Sequence, residues 1–371
     1  MANHTGIEPK RLDTYRVEPG RFTVAAVGLD HGHIYGMCAG LEDAGAVIGG
    51  VYDPDPDKAD AFCKRFPEAR VYGSEREVLE DGSINMIASA VIPAERGALG
   101  LRVHRAGKHY FCDKPPFTTL EQLQEARRSV SETGLRWAVF YSERIENEAA
   151  VFAGELVRAG EIGRVIHVLG LGPHRLNAPE RPDWFFRKER YGGILTDLGS
   201  HQVEQFLYYA DVGTPEVATP GTVPAGAGTA RVSSARAGNL AHPEYPGLED
   251  YGDATLSVSG GVTGYFRVDW FTPEGLSSWG DARTFIMGTE GTIELRKNLD
   301  LASSSKPAHC YLVNGSGERH YELSGAVGLP FFGELIRDCL EGTEEAMTHE
   351  HGFRAAELAL TAELRAEILS P

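Results

Sequence analysis

The 371-residue sequence lacks any apolar run of about eighteen residues, the length that a membrane-spanning helix requires. It is also short of basic residues, since 36 Lys and Arg against 53 Asp and Glu give a formal net charge of -17 at pH 7. An acidic surface repels phosphate backbones and anionic lipids, so we expect neither nucleic acid nor a membrane as a partner. The first 21 residues are polar and show no apolar core of a secretory signal.

Cysteine is scarce as well. The five cysteines are an odd number and include no C-x-x-C pair, which indicates reduced thiols rather than a disulfide framework or a zinc site. We therefore expect a protein of a reducing compartment, the cytoplasm, that holds no metal ion. The hydrophobic content of 42% is ordinary for a globular protein, and the length predicts two domains rather than one core.

Short apolar runs alternate with helix-like segments in the first part of the chain. The clearest runs lie at residues 22–28, 47–52, 84–91, 109–112 and 136–140. Runs of this length are typical of buried strands in a parallel sheet. Strands that alternate with helices imply right-handed crossovers, and so the sequence predicts an α/β fold with a doubly wound, Rossmann-type sheet.

The pattern changes in the second part, where β-rich runs follow one another between residues 230 and 313 without helices. This series predicts an α/β domain with a mostly antiparallel sheet. Residues 215–229, rich in Gly, Pro, Ala and Thr, are expected to form a loop, and residues 331–340 and 352–368 to form helices. The expected organisation is a leader (1–21), an NAD-binding domain (22–141) and a substrate-binding and oligomerisation domain (142–371), whose C-terminal helices can pack back on the NAD-binding domain.

The first strand ends in a turn that contains Gly28, Asp30, His31, Gly32 and His33. A strand, a glycine turn and a helix form the plan of a dinucleotide site, because the helix N-terminus offers N–H groups to a diphosphate. Measured against G-x-G-x-x-G, only Gly28 is in register. Asp30 could instead cap the helix and compete with the diphosphate, and the two histidines could be ordinary polar loop residues.

Asp53 ends the second strand, where an acid can bind the ribose hydroxyls of a dinucleotide. At about 4 Å and an effective dielectric of about 20, it would repel a 2′-phosphate by roughly 4 kcal/mol per unit charge pair. The sequence therefore favours NAD over NADP. The alternative is that Asp53 only begins the D-P-D-P turn.

Three further residues have side chains suited to catalysis. Lys114 follows a strand at its carboxyl end, where open sheets bind ligands, and its ammonium can donate to a carbonyl or alkoxide oxygen. Asp197 and His201 are four residues apart and so share a helix face. The histidine suits proton exchange with a hydroxyl, and the aspartate can orient it. Surface or structural roles remain alternatives, and no third residue nearby completes a metal site.

These motifs occur in a characteristic order. The glycine turn, Ile92-Pro93, Ala106-Gly107-Lys108-His109, Asp113-Lys114-Pro115, Gly192-Gly193 with Asp197 and His201, and Met287-Gly288-Thr289-Glu290-Gly291 together resemble the glucose–fructose oxidoreductase / inositol dehydrogenase / MocA (Gfo/Idh/MocA) family. The resemblance implies a Rossmann domain followed by an α/β domain with a large open sheet that builds homodimers or homotetramers.

The resemblance also implies roles for individual residues. Lys114 corresponds to the lysine beside nicotinamide and substrate, His201 to the acid/base histidine and Asp197 to the substrate-binding aspartate. The implied cofactor-binding residues outside the glycine turn and Asp53 are Pro93, Asp113, which replaces the usual glutamate, and Trp184. The loop residues His174 and Arg187 are weaker candidates for substrate binding. His349 and His351 are expected to be polar loop residues, and Trp270 and Trp279 to serve packing.

The implied function is an NAD-dependent oxidoreductase that moves a hydride to or from a hydroxyl-bearing carbon of a sugar, sugar derivative or cyclitol. His201 would take the hydroxyl proton and Lys114 would stabilise the charge on the oxygen. Two alternatives use the same residues or fold: NAD-assisted cleavage of a glycoside through a transient keto-sugar, and a non-catalytic sensor of NAD or sugar.

Overall fold

The computed structural model describes residues 7–212, 230–259 and 261–370, so the expected loop at 215–229 lies outside the described residues. The elements of the first part are β1 (Thr23–Val27), α1 (His33–Asp43), β2 (Val47–Tyr52), α2 (Pro56–Arg65), β3 (Arg70–Val71), α3 (Glu75–Glu80), β4 (Met86–Ser89), α4 (Pro93–Arg105), β5 (His109–Asp113), α5 (Leu120–Thr133) and β6 (Trp137–Phe140). They form a six-stranded sheet of order β3-β2-β1-β4-β5-β6, in which all neighbours are parallel.

The order of this sheet sets the place of the site. The chain proceeds outward from β1 in one direction to β3 and then in the other direction from β4 to β6. Ligands of open α/β sheets bind at the carboxyl ends of the strands beside such a switch point. The central strands β1 and β4 are buried on both faces, which explains their continuous apolar sequences.

The second part forms a nine-stranded sheet and the helices around it. Its elements are α6 (Ser142–Ile145), α7 (Glu148–Arg158), β7 (Val165–Pro173), α8 (Lys188–Tyr191), α9 (Ile194–Asp197), α10 (Gly199–Val212), β8 (Arg231–Gly238), β9 (Tyr251–Ser257), β10 (Thr263–Asp269), β11 (Arg283–Gly288), β12 (Gly291–Arg296), β13 (His309–Asn314), β14 (Gly317–Glu322), α11 (Phe331–Glu341), α12 (His349–Arg365) and β15 (Glu367–Leu369), with 3₁₀ helices at Ala178–Glu180 and Asp183–Phe186.

The strand order of this sheet is β14-β13-β12-β11-β7-β10-β9-β8-β15. Neighbours are antiparallel except β7 with β10 and β8 with β15. The two sheets confirm the expected α/β fold, with a Rossmann-type parallel sheet and a large, mostly antiparallel second sheet. Within the described ranges, no helix is both long enough and apolar enough to cross a membrane.

One face of the second sheet is covered by helices and the other is open. Along β7, Val168, Gly170 and Gly172 are buried, whereas the alternate residues Leu169 and Leu171 are half-buried. The two glycines leave room for α10, because a Cβ at Gly172 would lie 2.8 Å from the Gln202 amide nitrogen and one at Gly170 would contact the Gln202 amide oxygen.

The last helices contact residues of the parallel sheet. The rings of Phe331 and Phe332 in α11 contact Phe111 of β5, at 6.0 and 6.3 Å between ring centroids. Phe353 of α12 contacts Phe117 and, at 6.3 Å, Trp137 of β6. The C-terminal helices therefore make apolar contacts with the first part of the chain, in addition to the covalent connection that follows β6.

Two expectations for the C-terminal segment are wrong. Residues 367–369 form β15, which pairs with β8 instead of continuing the helix. His349 and His351 lie in the first turn of α12, which Thr348 caps, and not in a loop. His349 Nε2 accepts a hydrogen bond from the Trp137 amide at 3.0 Å, and His351 Nε2 lies 2.9 Å from Glu204, so both have structural partners.

Candidate active site

A cleft of about 330 Å³ lies between the carboxyl end of the parallel sheet and the second domain. Residues from the first domain contribute one wall, and α6, α9, α10 and the loops after β7 and β10 contribute the other. The residues proposed from the sequence that line it are His31, His33, Pro93, Asp113, Lys114, His174, Trp184, Asp197 and His201. Gly28, Asp30 and Gly32 belong to the turn beside it, and Asp53 follows β2 and contacts that turn.

The glycine turn is built for close approach of the backbone to a ligand. Gly28 has φ +75°, and a Cβ there would lie 2.7 Å from Val91 Cβ, so both conformation and space require glycine. The N-cap residues of α1 (Gly32) and α4 (Ile92) make no side-chain capping hydrogen bond, and only His31 Nδ1, at 3.2 Å from the His33 amide, accepts from the first residue of α1. Two helix N-termini therefore face the site with a partial positive charge, which fits the diphosphate of a dinucleotide.

Asp30 is not the cap of α1, so that alternative is wrong. Its carboxylate lies 2.6 Å from Lys58 Nζ and accepts a hydrogen bond from the Ile92 amide at 3.2 Å. Asp53 accepts hydrogen bonds from the Leu29 amide at 2.7 Å and from the Asp55 amide at 2.9 Å. The acid at the end of β2 is thus tied to the glycine turn itself.

His31 and His33 face Asp113 at the cleft. His33 Nδ1 donates to Asp113 Oδ1 at 2.9 Å, and His31 Nδ1 lies 3.5 Å from Oδ2. Burial lowers the pKa of His31, and the neighbouring His33 lowers it further. Burial alone would raise the pKa of Asp113, but His33 and Arg96 hold it well below its ordinary value.

The same three residues are close enough to hold a metal ion, but their hydrogen bonds give a simpler explanation. Asp113 Oδ2 accepts from Arg96 at 3.0 Å, and Oδ1 also accepts from the Lys114 amide at 2.7 Å. Both carboxylate oxygens therefore already have donors, one of them a buried cation. We assign no metal to this group.

Lys114 is buried at the centre of the cleft. Its Nζ donates to Asp197 Oδ1 at 2.6 Å, and its side chain is 6% exposed. Arg96 NH1 donates to the carbonyls of Lys114 and Pro115 and so holds this backbone in place. The ion pair joins the first domain to α9 of the second, which orients the ammonium toward the cleft.

His201 lies one helical turn beyond Asp197. The two short helices α9 and α10 are joined by Leu198 in helical conformation, so the spacing expected from the sequence is preserved. Burial lowers the pKa of His201 to about 3, with Glu143 opposing and Lys114 assisting the shift. The imidazole is therefore neutral near pH 7, and its Nδ1 has no hydrogen-bond partner in the described part of the chain.

The structure does not place Arg187 at the cleft. The 3₁₀ helix Asp183–Phe186 turns the chain so that Trp184 and Phe185 line the cleft while Arg187 is exposed. Arg181 lines the cleft instead, with its guanidinium 4.5 Å from the Phe185 ring centroid and Nε donating to the Leu176 carbonyl at 2.9 Å.

Several residues of the cleft were not singled out from the sequence. Trp270 and Trp279 line it, so their role is not confined to packing. Glu143 lines it as well and is 7% exposed. A signal for Glu143 exists, because it follows β6 at the same sheet edge at which Lys114 follows β5.

Comparisons with known proteins agree with this architecture. Residues 22–141 match the model of an oxidoreductase family with an NAD-binding Rossmann fold, and residues 151–294 match the GFO/IDH/MocA C-terminal domain. A solved structure from Erwinia carotovora atroseptica SCRI1043 is 47% identical, covers 94% of this chain and 100% of its own, and superposes with a TM-score of 0.88.

Two curated relatives extend the comparison. Scyllo-inositol 2-dehydrogenase (NAD(+)) of Bacillus subtilis is 25% identical over 302 residues, which are 79% of this chain and 80% of the relative. D-xylose dehydrogenase of Paenarthrobacter nicotinovorans is 30% identical over 129 residues. That second match spans 33% of either chain and so concerns only a third of the relative's length.

Proposed function

Because the chain belongs to the Gfo/Idh/MocA family of oxidoreductases, we propose that it transfers a hydride between NAD and a hydroxyl-bearing carbon of a sugar, sugar derivative or cyclitol. The observation that carries the proposal is the convergence of Lys114, Asp197 and His201 in one cleft at the carboxyl ends of β4 and β5. The inositol and xylose dehydrogenases among the relatives support this substrate class.

The proposed chemistry follows from the states of these side chains. Bound NAD supplies the hydride acceptor. The neutral imidazole of His201 takes the proton of the substrate hydroxyl. The ammonium of Lys114, oriented by Asp197 at 2.6 Å, donates to the same oxygen and stabilises its charge as the hydroxyl becomes a carbonyl. In the reverse direction, the same groups return the proton.

We propose that the cofactor is held mainly by the turn and the two uncapped helix N-termini. Gly28 and Gly32 let the backbone approach the diphosphate, Asp30 and Asp53 border the ribose, and His31 and His33 lie on the same side of the cleft. Pro93, Asp113 and Trp184 line the cleft and are proposed to contact the cofactor. His174 and Asp197 are proposed to contact substrate; Arg187, being exposed, is no longer included.

We further propose the domain division, the oligomeric state and the location of the protein. The division into residues 1–21, 22–141 and 142–371 is supported by the two family matches. The open face of the second sheet carries Leu169, Leu171 and Phe285, half-buried, and supports a homodimer or homotetramer. A cytoplasmic location is supported by five cysteines that are all free thiols.

Two variants test the proposal. Lys114→Ala and His201→Ala are expected to bind NAD normally and to lose turnover by about a hundredfold to ten-thousandfold, the usual effect of removing an acid–base group. NADH formation is followed by absorbance with scyllo-inositol, D-xylose and related polyols, and NAD binding by fluorescence. Lys64→Ala, an exposed lysine of α2, is the matched control.

The outcomes separate the competing functions. Near-normal turnover in both cleft variants would defeat the assignment of catalytic residues. Cleavage of a glycoside without net NADH would show the elimination reaction instead. Binding of NAD without reduction by any polyol would show a sensor.

A further inference from the structure

The floor of the cleft contains a buried carboxylate with one oxygen unused. Glu143 Oε2 accepts hydrogen bonds from Gln202 Nε2 at 2.7 Å, Lys297 Nζ at 3.0 Å and Gln205 Nε2 at 3.2 Å. Its other oxygen, Oε1, is buried and has no hydrogen-bond partner among the described residues. A buried acceptor without a donor is unfavourable, so this oxygen is a candidate for a ligand contact.

His174 places a second acceptor opposite Glu143. The His174 Nδ1 atom lies 3.1 Å from the Gly172 carbonyl oxygen, which can only accept, so Nδ1 carries the hydrogen. Burial lowers the pKa of His174 to about 4, so the ring is neutral near pH 7 and Nε2 carries a lone pair. His174 Nε2 and Glu143 Oε1 are 4.0 Å apart. Two acceptors thus lie close together, and no residue in the described part of the chain donates to Glu143 Oε1.

The surroundings fix Glu143 in its charged form. Burial alone would raise the pKa of Glu143, but the Lys297 ammonium lowers it below its ordinary value. Lys297 is 3% exposed and also donates to the Gln205 side chain. Gln202 is in turn confined by Gly170 and Gly172 of β7. The carboxylate is therefore rigid before any ligand binds.

A purely structural ion pair explains only part of this arrangement. Such a pair accounts for Oε2 and its three donors. It does not account for Oε1, which is buried beside the cleft and has no donor among the described residues. Hydroxyl groups are the donors that a neutral polyol offers, and two adjacent hydroxyls supply one hydrogen to each of two neighbouring acceptors.

We propose that Glu143 Oε1 and His174 Nε2 bind two neighbouring hydroxyls of the substrate, so that the chain takes polyols with a vicinal diol apart from the hydroxyl that is oxidised. This inference rests on the proposed function for the identity of the reacting hydroxyl. Its own content is a specificity site that lines the same cleft as Lys114 and selects the diol.

The principal test is Glu143→Gln. Three donors surround Oε2, so the amide oxygen of the variant is expected to remain there, and its NH₂ group then replaces Oε1. The site loses its charge and the acceptor becomes a donor. We expect KM for a polyol substrate to rise about tenfold to a hundredfold, as for loss of a hydrogen bond to a charged group, with kcat within about threefold of the parent protein.

A series of monodeoxy analogues of the best polyol distinguishes substrate contact from structural damage. One analogue, or two analogues that lack neighbouring hydroxyls, are expected to bind the parent protein as weakly as Glu143→Gln binds the full polyol. The variant is expected to show no further loss with those analogues. His174→Phe is expected to give the same pattern for the neighbouring hydroxyl. Glu204→Gln, which neutralises another buried carboxylate outside the cleft, is the matched control and should leave KM unchanged.

Binding is measured by calorimetry in the presence of NADH, independently of turnover. If Glu143→Gln does not fold, the double variant Glu143→Gln/Lys297→Met is used, because it also removes the cation that would be left without a partner. The analogue series on the parent protein tests the diol site without any variant. Diol-dependent binding without NADH formation would overturn the proposed function and leave this inference standing. Turnover that tolerates every deoxy analogue equally would overturn the inference alone, and absence of any polyol binding would overturn both.

Discussion

We predict that three charged side chains beside the glycine turn decide between NAD and NADP. Asp53 is 7% exposed and lies 4.0 Å from Lys58 Nζ, whereas Asp30 lies only 2.6 Å from the same ammonium. Asp30 therefore compensates most of the charge of Lys58. The group as a whole keeps a net charge of -1, on Asp53, where a 2′-phosphate would approach.

The size of the discrimination can be worked from this geometry. A phosphate charge about 4 Å from the carboxylate, at an effective dielectric of about 20, is repelled by roughly 4 kcal/mol. The site is partly exposed to solvent at Lys58, and we take screening by solvent and salt to offset about half of the repulsion. The remaining 2 kcal/mol or so corresponds to a preference for NAD of about thirtyfold. Asp53→Asn, which keeps the shape and removes the charge, is expected to abolish most of that preference.

The assay is fluorescence titration of NADH and NADPH with the parent protein, Asp53→Asn and Asp57→Asn. Asp57 is an exposed acid in the first turn of α2 and serves as the matched control, for which the ratio of the two dissociation constants should stay within about twofold. A third variant, Asp30→Ala, frees Lys58 and should favour NADPH. Equal affinity of the parent protein for both cofactors, or a ratio unaffected by Asp53→Asn, would refute the electrostatic reasoning.

Two further predictions concern stability and the turn. Burial lowers the pKa of His104 and His174 to about 4 and that of His201 to about 3. Below about pH 6.5 these histidines bind protons in the unfolded chain but not in the folded one. The free energy of unfolding is therefore expected to fall by about 1 to 2 kcal/mol per histidine between pH 7.5 and 5. Urea unfolding at the two pH values measures this, and equal free energies of unfolding would contradict it. Gly28→Ala places a Cβ 2.7 Å from Val91 Cβ on a residue with positive φ. The variant is expected to lose about 1 to 3 kcal/mol of folding stability and to bind NAD at least tenfold more weakly. Unchanged NAD affinity in a titration would show that the turn does not bind the cofactor.

The centre of the parallel sheet can be predicted from the sequence because β1 and β4 are buried on both faces. Both are short, largely apolar runs, and Gly28 ends the first of them. β15 is not predictable in this way. Residues 367–369 carry no strand pattern and become a strand by pairing with β8, which is far away in the sequence.

The candidate site, like the fold, can be predicted from the sequence only in part. Lys114 can be found from its position at a strand end, and Asp197 with His201 from their spacing on one helix face. The contact between Lys114 and Asp197 depends on how the domains meet, which no local pattern encodes. Arg187 and Arg181 flank one aromatic segment, and only the 3₁₀ turn decides which of the two reaches the cleft.

Glu143 shows a further limit of sequence reasoning. Its three partners come from α10 and from the residue after β12, so its environment exists only after these distant segments of the second domain have come together. The buried position could be inferred from the sheet edge, but the unpaired oxygen could not.

The most direct test of the account is a crystal structure of the protein with NADH and a polyol that it binds. We expect the nicotinamide at the carboxyl ends of β4 and β5, with one substrate oxygen within hydrogen-bond distance of both Lys114 Nζ and a His201 ring nitrogen. A nicotinamide bound elsewhere, or a polyol whose oxygens reach neither side chain, would contradict the central claim.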